Sequence, residues 1–505
     1  MAPALHQVLT EQQARLSASL ARLANLRALA AGGAAVVATG QQIGVFLGPL
    51  YAFYKAASAV AVARAIEAES GIRCVPLFWL QTEDQDFAEI SSCVVAGKNG
   101  EPVRLSLPDA AGGKGRASVA YRMLPPEVRV LLASLAEVLE PGPAAEETLA
   151  LLRAHYQPGQ SMASAFAQVM AAVFADEGLL VFDPRQPGER RVAELASPLY
   201  RRCLDDCERI EARLQDRQAE LAAAGFKEQV AVRERGALVF FHRDSEAGPR
   251  FRLQRQQAGE ASWTLAGSTE VLRHEEVLAT LAREPLRFST SALLRPIVQD
   301  TLLPTVAYVG GPGEINYFAQ LGPLYAHFGL VPPLLVPRAR FRCMDAHTRR
   351  RRGQLGLEAD DLSLPPEQLR ARLRPHLPAG AVEPAELRAL VDQQIMPVVD
   401  KIAATVAAAG ANLQRPAARS RASVVHAMER LLARYARTLV DRDEVTLRRL
   451  HHLENELFPN HTPQERYYSW PSLAGRLGIA ALKHLVFASL QAVGPFATDV
   501  RDLQP

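Results

Sequence analysis

AVVATGQQIGVFLGPLYAFYK, residues 35–55, is the stretch whose reading decides the fold. Apolar residues lead into Thr39 and Gly40. Two glutamines follow, then glycines at 44 and 48, then Pro49 and a long run without a helix breaker. The pattern reads as a buried strand over 34–39, a glycine-spaced loop, and a helix from about Pro49 to Ser70. Proline suits a first helical turn because its missing N–H has no partner there. Gly71 suits the stop, where a left-handed residue closes the last turn. The next apolar run, CVPLFWL at 74–80, is a second strand. Strand, helix, strand is the unit that builds a parallel sheet by right-handed crossover.

Working outward, further continuous apolar runs occur at Gly178–Phe182, Thr305–Val309 and Leu334–Val336. Such runs suit strands covered on both faces. The expected organisation is an α/β core with a parallel sheet, in pieces, 1–90, 177–188 and 291–345. Insertions at 91–176 and 189–290 interrupt it. The first insertion combines short β pieces with helices. The second opens on a charged helix at about Glu189–Ala224 and continues with alternating strands near Ala237–His242 and Arg250–Gln254. A helix of about two dozen residues precedes the core. A helical domain covers 346–457, and 458–505 returns to mixed character with a last strand near Ala497–Val500.

Within the helical part, Val425, Met428, Leu432, Tyr435 and Leu439 follow alternating steps of three and four, which is a coiled-coil seam. The seam slips where Arg442 and Thr446 fall on it. An antiparallel hairpin that contacts a second copy and a plain intramolecular bundle both fit, with the hinge at AGANLQR before Pro416.

The chain has 505 residues, 48% hydrophobic and 22% charged, with a formal net charge of +3. That supports a large buried core and gives no sign of a nucleic-acid or membrane partner, which would call for clustered basic surface. Five cysteines do not make a disulfide framework in a chain this long. Cys203 and Cys207 read as helix thiols, because no second ligand pair stands at zinc spacing. No protein-bound metal is expected. The N-terminus lacks the pattern of a signal peptide. No apolar run reaches the roughly 18 residues of a bilayer span. A reduced, cytoplasmic setting is the expectation.

In open parallel sheets, ligands sit outside the carboxyl ends of the strands. This chain places there Gly40, Gln41, Gln42, Gly44 and Gly48, then Glu83, Asp84 and Asp86, then Asp183, then Gly310, Gly311, Gly313 and Glu314, then Arg338. The glycine spacing is neither the dinucleotide nor the P-loop pattern. Pro49 opens a helix end that suits an anion. Tyr51 and Lys55 share one helix face, and Lys55 either reaches a held phosphate or carboxylate or lies along the surface. The three acids either cap the next helix, hold a substrate ammonium, take a proton from an amine, or bind Mg²⁺. The GGPG loop is a second anion cradle or a tight turn. Arg295, with Gln299 one turn on and Tyr317 beyond, is an anion binder or half of a buried pair.

Taken together, TGQQIGVFLGPLYAFYK (39–55), VPLFWLQTEDQDFAEI (75–90), LLRPIVQDTLLPTVAYVGGPGEINYFAQL (293–321), VPR (336–338) and FPNHTPQER (458–466) make the chain resemble the BshC family, cysteine-adding ligases of bacillithiol biosynthesis. The resemblance implies a Rossmann-like core related to class I aminoacyl-tRNA synthetases and nucleotidyltransferases, two connecting-peptide insertions, and a coiled coil that makes a homodimer. It implies L-cysteine and glucosaminyl-malate as substrates and ATP as activator, with Mg²⁺ arriving on the nucleotide. Lys55, Glu83, Asp84 and Asp86 would then be catalytic, and the remaining strand-end residues would bind substrate or nucleotide. One position departs: the family typically has histidine where this chain has Gln85. Two other readings stand beside this one. They are a different adenylate-forming amino-acid ligase, and a non-catalytic coiled-coil scaffold with a vestigial site.

Overall fold

Five strands form one sheet: β1 (Ala35–Gln41), β2 (Cys74–Leu80), β3 (Leu180–Phe182), β4 (Thr305–Gly310) and β5 (Leu334–Pro337). Their order is β5-β4-β1-β2-β3, and every adjacent pair is parallel. This is the doubly wound Rossmann-like order. It reverses direction between β1 and β4, so a crevice opens at the carboxyl ends of those two strands. Strand β2 is buried at every residue, as its continuous apolar run requires. The computed structural model describes residues 1–109, 117–256, 262–373 and 382–505.

The helix α1 (Leu50–Ser70) carries the chain from β1 back to β2. Pro49 precedes it in an extended conformation, and Gly71 closes it at φ 70°. For the five strands of this sheet, expected and observed bounds agree to within two residues. The N-terminal helix does not run unbroken. It is two helices, Pro3–Ala14 and Leu20–Ala31, because the Ser19 hydroxyl accepts the Arg22 N–H and starts a new helix there. The charged helix of the second insertion likewise divides into Arg191–Asp205 and Cys207–Ala223 at Asp206, whose carboxylate accepts from the His327 ring. The last strand is Val500–Leu503, later than expected.

The first insertion contributes a hairpin, Ser92–Ala96 with Pro102–Ser106, and the helices Val128–Val138, Pro143–His155 and Met162–Val173. The second contributes an antiparallel sheet ordered Phe288–Thr290, Gly236–His242, Arg250–Arg255, Ser262–Leu265, Val271–Arg273. Its inward residues Val239, Phe241, Leu253 and Trp263 share one apolar cluster with Trp79 and Phe182 of the central sheet. Each such side chain, fully buried, contributes roughly 1.5–3 kcal/mol. Cys203 and Cys207 lie buried in that cluster as free thiols.

The chain divides into two compact units, 1–342 with 465–503, and 343–464 with 504–505. The second unit has its own core, including Met344, Leu355, Leu362, Leu450, Leu453 and Leu457. It also carries a hairpin of Met396–Ala408 against Gln414–Arg442. The turn between them is Gly410–Leu413, and Pro416 falls in the first turn of the long helix. Val425, Met428 and Leu432 line a groove of about 320 Å³ with Val391 and Met396. Val398 and Ile402, one turn apart, are 57% and 59% exposed. The seam slips because the long helix ends at Arg442 and Asp443 caps a new one, accepting from the Val445 and Thr446 N–H groups. The Arg442 side chain lies outside the described residues. Among the described residues no single helix is long and apolar enough to cross a membrane.

Candidate active site

A cavity of about 540 Å³ opens at the strand-order reversal, entirely within the first unit. Five stretches build it. The end of β1 and the flank of α1 supply Gln41, Gln42, Tyr51 and Lys55. The segment after β2 supplies Gln81, Glu83, Asp84 and Glu89. The insertion sheet and its approach supply Arg233, Phe240, Arg250, Arg252 and Thr290. The helices α2 (Arg295–Leu302) and α3 (Pro312–Phe318), with the loop before α3, supply Arg295, Gly311, Gly313, Glu314 and Tyr317. The last segments supply Arg338 and Arg466.

Lys55 is buried rather than lying along the surface. Its Nζ donates to the Gly40 carbonyl and Gln41 Oε1, both at 2.8 Å, and pairs with Glu314. Glu314 also accepts the Gly311 N–H at 2.8 Å and the Tyr308 hydroxyl at 2.7 Å. Burial opposes ionisation of Glu314, but Lys55 and Arg295 outweigh it and hold the carboxyl below its ordinary value. The GGPG cradle is therefore filled by the chain's own carboxylate. Through Lys55 and Glu314, the end of β1 is tied to the loop after β4 across the crevice.

Two further cations expected to meet anions are already engaged. Arg295 donates to the Tyr317 hydroxyl at 2.6 Å, the Tyr308 hydroxyl at 3.3 Å and Gln299 Oε1 at 3.4 Å. Arg338 forms a bidentate pair with Glu465, at 2.8 and 2.7 Å, with both side chains buried. Gln299 is fully buried and supports Arg295 from outside the cavity lining.

The acids after β2 part company. Glu83 accepts from the Thr290 hydroxyl and N–H. Asp84 accepts from Gln42 Nε2, and its nearest cation is Arg250 at 3.7 Å. Asp86 is exposed, lies outside the lining and caps the short helix Phe87–Ile90 by accepting the Glu89 N–H at 3.1 Å. Glu89, unassigned from sequence, does line the cavity. Burial, then the charges of Asp84 and Asp86, push its carboxyl up. Gln42 is 8% exposed, and its Oε1 has no hydrogen-bond partner among the described residues. The Gln85 side chain stands outside the lining with its Oε1 buried and, among the described residues, without a hydrogen-bond partner.

Gly44, Gly48 and Pro49 also lie outside the lining. A Cβ on Gly44 would stand 2.7 Å from the Gly48 Cα, so these glycines allow one backbone strand of the loop to touch another. The Leu50 N–H at the helix start is taken by the Tyr468 carbonyl. Gly40 and Gly310 sit just behind the cavity, Gly40 as the carbonyl that Lys55 binds.

Like Glu89, Arg233, Arg250, Arg252, Thr290 and Arg466 line the cavity without having been singled out from sequence. Arg250 and Arg252 are two apart on one strand and so share a face, which alternation along a strand reveals. Arg466 stands next to Glu465 in the late FPNHTPQER stretch. Behind the acids, Asp183 accepts from the Thr82 hydroxyl at 2.5 Å, and burial raises its carboxyl to about 6. Among the described residues no group of three or more His, Cys, Asp or Glu is arranged to hold a metal ion.

Comparison with known proteins is consistent across the chain. Residues 2–339 match the family model described as "Bacillithiol biosynthesis BshC, N-terminal Rossmann-like domain", and residues 341–496 match "Bacillithiol biosynthesis BshC, C-terminal coiled-coil domain". A protein named "Putative cysteine ligase BshC" from Koribacter versatilis is 33% identical over 96% of this chain and 86% of its own length. One of the same name from Solibacter usitatus is 32% identical over 91% and 84%. A solved structure titled "putative arginyl t-RNA synthetase" from Campylobacter jejuni covers 92% of this chain and 98% of its own, at 9% identity and a TM-score of 0.24, a fit too weak to bear on the fold.

Proposed function

Because the chain belongs to the BshC family of bacillithiol biosynthesis, we propose that it is a ligase joining the carboxylate of L-cysteine to the amine of glucosaminyl-malate. The observation that carries this reading is the mixed lining of the cavity. Carboxylates and an unpaired amide oxygen (Glu83, Asp84, Glu89, Gln42) stand with guanidiniums that have no acid partner among the described residues (Arg233, Arg252, Arg466). That lining suits an amine and several anions brought together, as amide formation from a carboxylate demands.

In the proposed reaction, a cysteine carboxylate oxygen attacks a phosphorus of ATP. ADP or pyrophosphate leaves, and an acyl-phosphate or acyl-adenylate forms. The acceptor amine then attacks the acyl carbon, the C–N bond forms, and phosphate or AMP departs. Asp84, Glu89 and the Gln42 amide oxygen hold the cysteine ammonium. Glu83 takes the proton shed by the attacking amine, at a carboxylate that Thr290 holds in place. Arg466 offsets negative charge that develops on the departing phosphate. Lys55 with Glu314 and Arg338 with Glu465 position the loops rather than touch substrate. Mg²⁺ enters with the nucleotide. We place the reaction in the cytoplasm, carried out by a homodimer formed through the helical hairpin, whose Val398 and Ile402 stripe is open for a second copy.

Mass spectrometry of purified protein with ATP, cysteine and glucosaminyl-malate tests the reading. The expected product is bacillithiol, with ADP or AMP formed in equal amount. Folded protein that yields no bacillithiol with any nucleotide overturns it.

A further inference from the structure

The insertion sheet brings two like charges together with no acid between them. Arg252 lies on the strand Arg250–Arg255 and Arg233 on the approach to Gly236. Both line the cavity. Gly236 makes their approach feasible: a Cβ there would stand 3.2 Å from the Arg233 Cβ and 3.2 Å from the Arg252 Cδ. Among the described residues neither guanidinium has a hydrogen bond or an ion pair. Arg252 has only the face of Phe240 beneath it, at 5.4 Å from the ring centroid. Burial, and then the charge of Arg233, disfavour the charged form of Arg252.

Nearby arginines differ. Arg250 is satisfied by the Ser289 hydroxyl, the Thr290 carbonyl and Asp84, and Arg295 and Arg338 are committed as described. Two adjacent forks of N–H donors left without acceptors, on a cavity wall, match a ligand with two carboxylates on neighbouring carbons.

We propose that Arg233 and Arg252 are the specificity-determining pair that recognises a compact dicarboxylate, supplied by the malate end of the acceptor. This inference rests on the ligase reading above. On this assignment the acceptor lies with its malate against the insertion sheet and its amine toward Glu83. The nucleotide occupies the side of the crevice nearer Arg466.

The test pairs binding with kinetics on the full-length protein. Variants are Arg233→Gln, Arg252→Gln, the double variant, and Arg252→Lys. Calorimetry with glucosaminyl-malate is expected to show about tenfold weaker binding for each glutamine substitution, with Arg252→Lys recovering part of the loss. Steady-state assays are expected to show KM for glucosaminyl-malate raised in step, with KM for ATP and turnover of methyl glucosaminide unchanged. Unchanged acceptor binding and KM in the double variant overturn the proposal while leaving the ligase reading intact. A rise confined to KM for ATP also overturns it, assigning the pair to phosphate. Acceptor binding that the variants weaken, in a protein that makes no bacillithiol, upholds the pair and removes the ligase. Arg233 is exposed, so its single variant remains informative if substitution of Arg252 impairs folding.

Discussion

Replacing Lys55 by Met separates two roles that a lysine at this place can have. Its ammonium, itself buried, satisfies the Gly40 carbonyl, Gln41 Oε1 and the largely buried Glu314. Removing one partner of a buried pair leaves the other charge uncompensated, at a cost of about 3–5 kcal/mol. Glu314 keeps its Gly311 and Tyr308 donors, which places Lys55→Met near the lower end. The double variant Lys55→Met, Glu314→Gln leaves no orphan charge. It is expected to be more stable than the sum of the single effects by about 2 kcal/mol, the coupling typical of residues in one network. The assay is denaturant unfolding followed by tryptophan fluorescence. All three tryptophans, Trp79, Trp263 and Trp470, lie buried in the first unit, so the signal reports that unit alone. If Lys55→Met stays within about 1 kcal/mol of wild type, the cost assigned to a broken buried pair is refuted. Loss of activity in such a stable variant would show that the ammonium acts on substrate.

Three other outcomes follow from the same geometry. The Asp183 carboxyl, at about 6 in the folded protein and near 3.8 when unfolded, holds a proton between those values only when folded. Its contribution therefore falls as pH rises from about 4 to 6 and is flat above, by up to about 3 kcal/mol; a stability difference from Asp183→Asn that does not change over that range refutes this. Gly44→Ala is expected to cost about 1–3 kcal/mol by overpacking against Gly48, seen as a lower melting temperature with unchanged KM values. Val398→Asp with Ile402→Asp is expected to shift light-scattering mass from dimer to monomer, and an unchanged mass removes the hairpin as the dimer contact.

The sheet was legible because strands covered on both faces need unbroken apolar runs, and CVPLFWL or TVAYVG allow little else. Glycine spacing was a poorer guide. Gly44 and Gly48 are four apart because their backbones touch, and sequence does not tell that need from the need to admit a phosphate. Charged residues misled for a different reason. Whether Arg338 is free depends on Glu465, more than a hundred residues later, and whether Glu314 is free depends on Lys55. Sequence alone therefore left Lys55 and Arg295 with two readings each. Arg233 and Arg252 escaped notice because an arginine without an acid becomes visible only once all its neighbours are placed. The break at Ser19 was hidden by apolar residues that continue at helical spacing on both sides of it.

The chain leaves the first unit at Arg342 and re-enters it at Glu465, so the unit is closed by its last stretch. Tyr468 caps α1 and Ser469 bridges to Pro49, while Glu465 neutralises Arg338. During synthesis, β5 therefore emerges with Arg338 still lacking its counter-charge, and about 120 residues must be made before the closing stretch appears. At bacterial elongation speeds that is a delay of roughly 6–25 s. Meanwhile the intervening segment gathers its own core, and its two ends, Cys343 and Gln464, join through two hydrogen bonds only as the closing stretch arrives. A ribosome stalled before Glu465 has emerged would thus display a first unit whose Arg338 still lacks its counter-charge. Such nascent chains should be more protease-sensitive within the first unit than the released chain.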